Sequence, residues 1–234
     1  QYPSRLPQKV QDEMSRISEK VMLQVGLDHS AFNLEFFWNE KKDKIWFLEI
    51  NTRIPQSHSD LFVKVDGVAN HQIMLDVALN QDPWFPRRQG NFRVAGKFFL
   101  REYQDKLITG IPTKEDLEDL NNKIPGTLVD VQGKVGMKLS DIPEQDSYSY
   151  ASAFIYLGAG SQKELVEKFQ QCREMLKFEY QDLTVPAASA ENVLEKVPET
   201  EPKVVIQVLT TPMELPVQED LSPNQGGIQD MVKP

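Results

Sequence analysis

Residues 31–60 read AFNLEFFWNEKKDKIWFLEINTRIPQSHSD, and this stretch decides the fold of the chain. Alternating side chains flank a polar run at residues 39–44. Alternation with a period of two on both sides of a polar cluster predicts a β-hairpin. Side chains two residues apart lie on one face of a strand, so Glu49, Asn51 and Arg53 are expected to share a face.

The turn of this hairpin determines which side chains face each other. A turn centred on Lys42 places Glu35 opposite Glu49. Directly opposed Cβ atoms lie about 4.5–5.5 Å apart, and like charges at that separation repel. Mg²⁺ or Mn²⁺ between the carboxylates would relieve the repulsion, because hard cations take oxygen ligands and also bind phosphates. The alternative is a surface hairpin with two solvated glutamates, and the pattern alone does not choose between them.

The sequence Glu-x-Asn-x-Arg at residues 49–53, with Glu35 one strand upstream, resembles the metal-binding half of the ATP-grasp superfamily. Among its members it is most similar to the biotin carboxylase and L-amino acid ligase types. The similarity is dense over residues 27–79 and fainter to about residue 183. It implies an α+β fold made of the C-terminal half of an ATP-grasp domain, followed by a small α+β domain.

The resemblance also implies roles for individual side chains. Glu35 and Glu49 are expected to bind the metal, and Arg53 is the expected catalytic residue that steadies the reacting phosphate or acyl group. Four residues are expected to contact nucleotide, phosphate or substrate, and the first of them is also a candidate metal ligand: Asn51, Phe37, Ser57 and Arg101.

Three of these contacts have structural alternatives. Phe37 shares a face with Glu35 and is a candidate floor for adenine, whereas an aromatic residue on a strand is more often core. Ser57 and His58 lie where a second substrate would bind. The structural alternative for His58 is that it orients the main chain, as loop histidines commonly do. Arg101 is a candidate partner for a substrate carboxylate, and the alternative is an ordinary surface ion pair.

The loop after Arg53 departs from the biotin carboxylase pattern. Those enzymes carry a Gln and then a Glu before the His, and the Glu is the base for bicarbonate. Here the corresponding residues are Pro55 and Ser57, and a hydroxyl is not a general base near pH 7. The resemblance therefore favours a carboxylate–amine ligase that activates its substrate with ATP as an acyl phosphate. The alternatives are a biotin carboxylase-type enzyme and a non-catalytic, truncated module with a binding or assembly role.

Composition bounds the class of protein. The chain has 234 residues, 40% of them hydrophobic, and a net charge of −9, which argues against nucleic-acid or anionic-membrane partners. No apolar run approaches the roughly 18–20 residues that a membrane span needs. One cysteine, Cys172, excludes an intrachain disulfide and is consistent with a reducing cytoplasm. We therefore predict a cytoplasmic protein with small-molecule carboxylate and amine substrates. A homodimer is compatible with this composition.

The order of patterns predicts three regions. Residues 1–90 hold a helix at Gln8–Val25, the hairpin, and a helix at 70–79 with Ile73, Met74, Val77 and Ala78 turned inward. Residues 91–184 are expected to form the small α+β domain. Residues 185–234 are proline-rich and acidic and are expected to be disordered, although an apolar run at 204–209 suits a partner contact or an edge strand.

The phosphate-gripping elements of an ATP-grasp enzyme are not evident in this sequence. Only 34 residues precede Glu35, and neither a glycine-rich loop nor a Walker-type motif lies among them. We therefore expect the chain to be a C-terminal portion whose partner is the missing N-terminal half of the ATP-grasp domain.

Overall fold

A computed structural model describes residues 1–146 and 148–183, together with the backbone of residues 205–208. Two short 3₁₀ turns, at Gln56–His58 and Leu139–Asp141, accompany its helices and strands. The latter are, in chain order, α1 Gln8–Val25, β1 Asn33–Asn39, β2 Lys44–Asn51, α2 Ser59–Asp66, α3 Asn70–Ala78, β3 Val94–Glu102, β4 Lys106–Gly110, α4 Lys114–Lys123, β5 Leu128–Val131, β6 Tyr150–Ala159, α5 Gln162–Met175, β7 Glu179–Asp182 and β8 Val205–Val208. Helices with antiparallel sheets confirm the predicted α+β class.

The first layer consists of α1 packed on the hairpin β1–β2. Val10 and Met14 of α1 and Leu34 and Phe36 of β1 are fully buried in one cluster. Side chains four residues apart on α1 stack on one face, while alternate side chains on β1 turn toward it. The helix ends at Gly26, whose φ of +70° is the left-handed conformation that favours glycine.

The register of the hairpin confirms the predicted opposition of its two glutamates. Strands β1 and β2 are antiparallel, and Glu35 pairs with Glu49. The next pair joins Phe36 to Phe47, so Leu48 is an extra residue in β2 and forms a bulge. On the other edge of β1, residues 205–208 of the apolar run pair antiparallel as the edge strand β8.

The second layer is the sheet β3-β6-β5, with α5 on one face and α2 on the other. Leu157 of β6, Leu165 and Cys172 of α5, and Leu120 of α4 are fully buried in its main cluster. Burial raises the pKa of the Cys172 thiol to about 11, so this cysteine is a packing residue. A separate pair, β4 with β7, completes the described strands.

The connection near residue 90 is closely packed. The Gly90 N–H donates to the Val65 carbonyl at 2.9 Å, and a Cβ at Gly90 would lie 2.3 Å from the Lys64 carbonyl oxygen. Leu61 and Val65 of α2 share a buried cluster with Ala95 of β3. Helix α2 therefore packs across the predicted boundary between residues 1–90 and 91–184, and that division stays a prediction.

The predicted disorder of residues 185–234 falls outside the described residues, except for strand β8. Within the described part of the chain, no helix is both long enough and apolar enough to cross a membrane.

Candidate functional site

Three polar side chains are linked by hydrogen bonds at the end of β2 and two residues beyond it. The Asn51 amide nitrogen donates to Glu49 Oε1 at 3.0 Å, and Arg53 Nη2 donates to Asn51 Oδ1 at 3.4 Å. Glu49 and Arg53 are exposed, whereas Glu35, opposite Glu49, is half-buried. The period-two pattern therefore places the four predicted residues together at the open end of the hairpin.

The donor set fits a hard cation. Mg²⁺ is usually bound by one or two carboxylates, with water and substrate phosphates supplying the other oxygens. In the described part of the chain, no group of three or more acidic, His or Cys side chains is arranged to hold a metal. The metal binding of Glu35 and Glu49 stays a prediction. Asn51 turns its amide oxygen toward Arg53, so its role as a ligand also stays a prediction.

A cavity of about 1030 Å³ lies beside this group, bounded by α1, α2, α3, β3 and the chain's first residues. The acidic pair, Asn51 and Arg53 are not part of its wall. Ser57 and Ile54 are part of the wall. The Ile54 carbonyl also accepts a hydrogen bond from Arg53 Nη1 at 3.5 Å, so Ile54 connects the polar group with the cavity. Four predicted site residues therefore form a polar group at the hairpin, and Ser57 lies apart from them at the cavity wall.

Helix α3 differs from its prediction. Ile73, Met74 and Val77 are half-buried and line the cavity, and Ala78 is exposed instead of turned inward. No residue of α3 is fully buried. Its apolar face therefore borders an open space and is not part of a packed core.

Ser57 and His58 are in contact at the cavity wall. Ser57 Oγ lies 3.2 Å from His58 Nδ1, and either atom can donate, depending on the imidazole tautomer. Burial, with a smaller contribution from the positive charge of Lys97, lowers the pKa of His58 to about 4. The imidazole is consequently neutral at neutral pH and a weak base, so it serves better as a hydrogen-bonding group than as a proton acceptor.

This lowered pKa predicts a pH-dependent stability. In the unfolded chain the pKa of histidine is about 6.5, so between about pH 6.5 and 4 the unfolded state binds a proton while folded His58 stays neutral. The stability that neutral His58 contributes is therefore complete above about pH 6.5 and is lost as pH falls toward 4. We expect a loss of about 1–2 kcal/mol from this residue, discounted for its partial exposure. His58→Gln should remove this component from urea-unfolding curves, whereas His71→Gln, at an exposed site, should keep it. A His58→Gln curve with unchanged pH dependence would contradict the assignment.

The two remaining candidates lie outside the cavity wall. Phe37 is half-buried and pairs with Trp46 across the hairpin. Arg101 forms an ion pair with Asp146, donates to Ser149, and lies over the Phe99 ring at 4.6 Å. The structure thus gives Arg101 the surface ion pair that was its alternative, while substrate contact by Phe37 and Arg101 stays a prediction.

Lys97 is the residue that sequence reasoning missed. It lies four residues before Arg101 on the same face of β3 and lines the cavity. Its ammonium lies 3.9 Å from the centre of the Phe154 ring and 4.9 Å from that of Phe99. The alternation of Lys97, Phe99 and Arg101 was visible in the sequence, but Phe154 comes from a distant strand.

Comparison with protein families tests the resemblance. Residues 3–82 match the family described as carbamoyl-phosphate synthase L chain, ATP binding domain, which is an ATP-grasp domain. The ATP-grasp resemblance is confirmed for that segment. The ATP-grasp segment contains α1, the hairpin, α2 and α3, and therefore all predicted site residues except Arg101. A search of curated proteins found no match to this chain.

Solved structures share the fold at low sequence identity. An L-amino acid ligase from Bacillus licheniformis matches with a TM-score of 0.56 and 17% identity over 77% of this chain and 43% of its own. N5-carboxyaminoimidazole ribonucleotide synthetase from Thermotoga maritima matches with a TM-score of 0.53 and 15% identity over 77% of this chain and 45% of its own.

A third structure is the biotin carboxylase domain of 2-oxoglutarate carboxylase from Hydrogenobacter thermophilus, a dimer in complex with MgADP, ADP and bicarbonate. It matches with a TM-score of 0.52 and 17% identity over 76% of this chain and 38% of its own. This chain therefore spans less than half the length of each of the three proteins, and the likeness shows the fold alone.

Proposed function

We propose that this chain is part of an ATP-dependent ligase that activates a carboxylate as an acyl phosphate and joins it to an amine. The observation that carries the proposal is the opposition of Glu35 and Glu49 within the ATP-grasp segment. Opposed like charges repel each other by about 1 kcal/mol near water. A cation bound between the two carboxylates would offset this repulsion.

The side chains around the pair support the binding of nucleotide phosphates. A Mg²⁺ or Mn²⁺ ion held by Glu35 and Glu49 would supply electrostatic stabilisation of the charge on ATP phosphates. Arg53, exposed at the same end of the hairpin, presents a planar guanidinium whose fork of donors matches phosphate or carboxylate oxygens. The MgADP bound to the Hydrogenobacter domain supports ATP with Mg²⁺ as the pair of cofactors.

The proposed reaction has two steps. A carboxylate oxygen of the substrate attacks the γ-phosphorus of ATP, so ADP leaves and an acyl phosphate forms. The nitrogen of an amine then attacks the acyl carbon, inorganic phosphate leaves, and the amine loses a proton as the amide forms. Arg53 is proposed to stabilise the negative charge that develops on the oxygens in both steps.

The loop after Arg53 favours an amine over bicarbonate as the second substrate. Ser57 stands where biotin carboxylases carry their glutamate base, and its neighbour His58 has a pKa of about 4. Neither group is a strong base at neutral pH, whereas both hydrogen-bond well to a neutral or amide-like group. Bicarbonate-dependent carboxylation is therefore the weaker alternative.

The chain spans under half the length of the compared structures, so its partner is proposed to be the remainder of an ATP-grasp domain. A second candidate follows from the same fact: a non-catalytic module that keeps the fold. The two proposals differ in one property, because a binding or assembly module has no use for a metal between Glu35 and Glu49.

The test is to supply the full-length protein with ATP, Mg²⁺, one carboxylate and one amine from a panel that includes amino acids. We expect phosphate release only when both substrates are present, and an amide product by mass spectrometry. A chelator such as EDTA should stop the release. Release driven by bicarbonate and biotin, with none driven by the panel, would overturn the ligase proposal in favour of a carboxylase.

A further inference from the structure

The cavity beside the hairpin is cationic, although the protein carries a net charge of −9. Its described wall contains four cationic side chains and a single acidic one, Asp66; the cationic ones are Arg5, Arg87, Arg88 and Lys97. Asp66 is fully buried and accepts hydrogen bonds from the Tyr2 hydroxyl at 2.6 Å and from the backbone N–H of Arg88 at 2.9 Å. The cavity therefore has an excess of positive charge that suits an anion.

Lys97 is the cation with the clearest place for an anionic partner. Its ammonium is held over the rings of Phe154, Phe99 and Tyr156, at 3.9, 4.9 and 5.5 Å. Among residues 1–146 and 148–183, no carboxylate forms an ion pair with it within 4.0 Å. Burial lowers the pKa of Lys97, and the more distant Asp130 offsets this only in part. A bound anion would stabilise the charged form.

The rest of the wall is apolar. Ile73, Met74 and Val77 of α3 present half-buried side chains to the cavity, and Phe99, 39% exposed, contributes its ring next to Lys97. The volume of about 1030 Å³ lies at the upper end of the roughly 300–1,000 Å³ typical of small-molecule sites. An inorganic anion would leave these apolar surfaces in water, so the ligand needs an apolar body as well as a charge.

We propose that this cavity binds an organic carboxylate with an apolar body, whose carboxylate pairs with Lys97 and whose body packs against α3 and Phe99. The inference rests on the proposed function, because it assigns the cavity to the carboxylate that the ligase would activate. The route from the cavity to Arg53 runs through Ile54, which lines the cavity directly after that arginine.

Calorimetric titration of the 234-residue chain, without ATP or metal, tests the proposal. The probe is 3-phenylpropionate, and two comparison ligands each lack one feature: 3-phenylpropionamide lacks the charge, and acetate lacks the apolar body. We expect 3-phenylpropionate to bind at least tenfold tighter than either. Equal affinities for the acid and the amide, equal affinities for the acid and acetate, or no binding of any probe would overturn the proposal.

Variants separate the contribution of Lys97 from that of the apolar wall. Lys97→Met keeps the aliphatic stem and should bring the affinities of acid and amide to within about twofold of each other. Lys163→Met, a matched change at a side chain that is 87% exposed on α5, should leave the preference for the acid unchanged. Val77→Phe narrows the cavity and should weaken both phenyl ligands at least tenfold while keeping the acid preferred. A Lys97→Met variant that is folded by circular dichroism and still prefers the acid tenfold would contradict the assignment.

A separate titration with Mn²⁺, made on the wild-type chain and on Glu49→Gln, distinguishes this inference from the proposed function. Binding of 3-phenylpropionate with the expected preference, in a chain whose Mn²⁺ affinity does not depend on Glu49, would leave the cavity assignment standing and remove the ligase. Metal binding at Glu35 and Glu49 without carboxylate binding would remove the cavity assignment alone.

Discussion

Replacing Glu49 by glutamine is expected to lower Mg²⁺-dependent ATP turnover of the full-length protein by about 10²-fold or more. A metal ion at phosphate oxygens contributes several kcal/mol to charge stabilisation, and each 1.4 kcal/mol is about tenfold in rate. Glutamine keeps the size of the side chain and an oxygen for the 3.0 Å hydrogen bond from Asn51, but it removes one negative charge from the pair with Glu35.

The stability of the Glu49→Gln chain is a second readout, and it is expected to stay equal or rise while turnover falls. In EDTA, Glu49→Gln removes a repulsion between opposed like charges, so the chain should be equally stable or more stable by a few tenths of a kcal/mol. Binding of Mn²⁺, followed by electron paramagnetic resonance of the free ion, should weaken at least tenfold. Glu19→Gln, an exposed change on α1, is the control for net charge and should alter neither property.

A purely structural role for Glu49 predicts a different result. If the glutamate served only to fix Asn51 and Arg53, Glu49→Gln would leave Mn²⁺ affinity at the level of the Glu19→Gln control. Full turnover in the Glu49→Gln protein would likewise remove the metal assignment.

Phe36→Ala is expected to destabilise the chain by about 3–5 kcal/mol, the range for deleting a buried aromatic side chain. Phe36 is fully buried beneath the hairpin, in one cluster with Met14 of α1. Its ring meets that of Phe47 edge-on, with centroids 5.7 Å apart. Removing the ring leaves a cavity between α1 and the hairpin that carries the acidic pair. Unfolding should therefore begin at a clearly lower urea concentration.

Phe47→Ala is the matched control for this prediction. Phe47 is 38% exposed on the facing strand, so its truncation removes less buried surface and should cost about 1–2 kcal/mol, including the lost ring contact. Comparable losses for the two variants, measured by urea denaturation, would show that the α1–hairpin interface does not depend on Phe36.

The sequence alone was sufficient for the hairpin and for the face on which each of its side chains lies. The period of two assigns each side chain to a face, and the polar run at residues 39–44 locates the turn. The pairing of Glu35 with Glu49 also depends on the bulge at Leu48, because the turn pairs Asn39 with Lys44 and would otherwise oppose Glu35 to Leu48. The same holds for α1, which was predicted at Gln8–Val25 and has those bounds in the structure. Such elements depend on residues within a few positions of one another.

Only the tertiary structure decided the cavity and the partners of the charged residues beside it. Arg101 meets Asp146, and Lys97 meets Phe154, because β3 pairs with β6 across some fifty residues of intervening chain. Whether the apolar face of α3 enters a core or borders a cavity depends likewise on what packs opposite it. A sequence pattern states which side chains share a face, but long-range strand pairing and helix packing determine what that face meets.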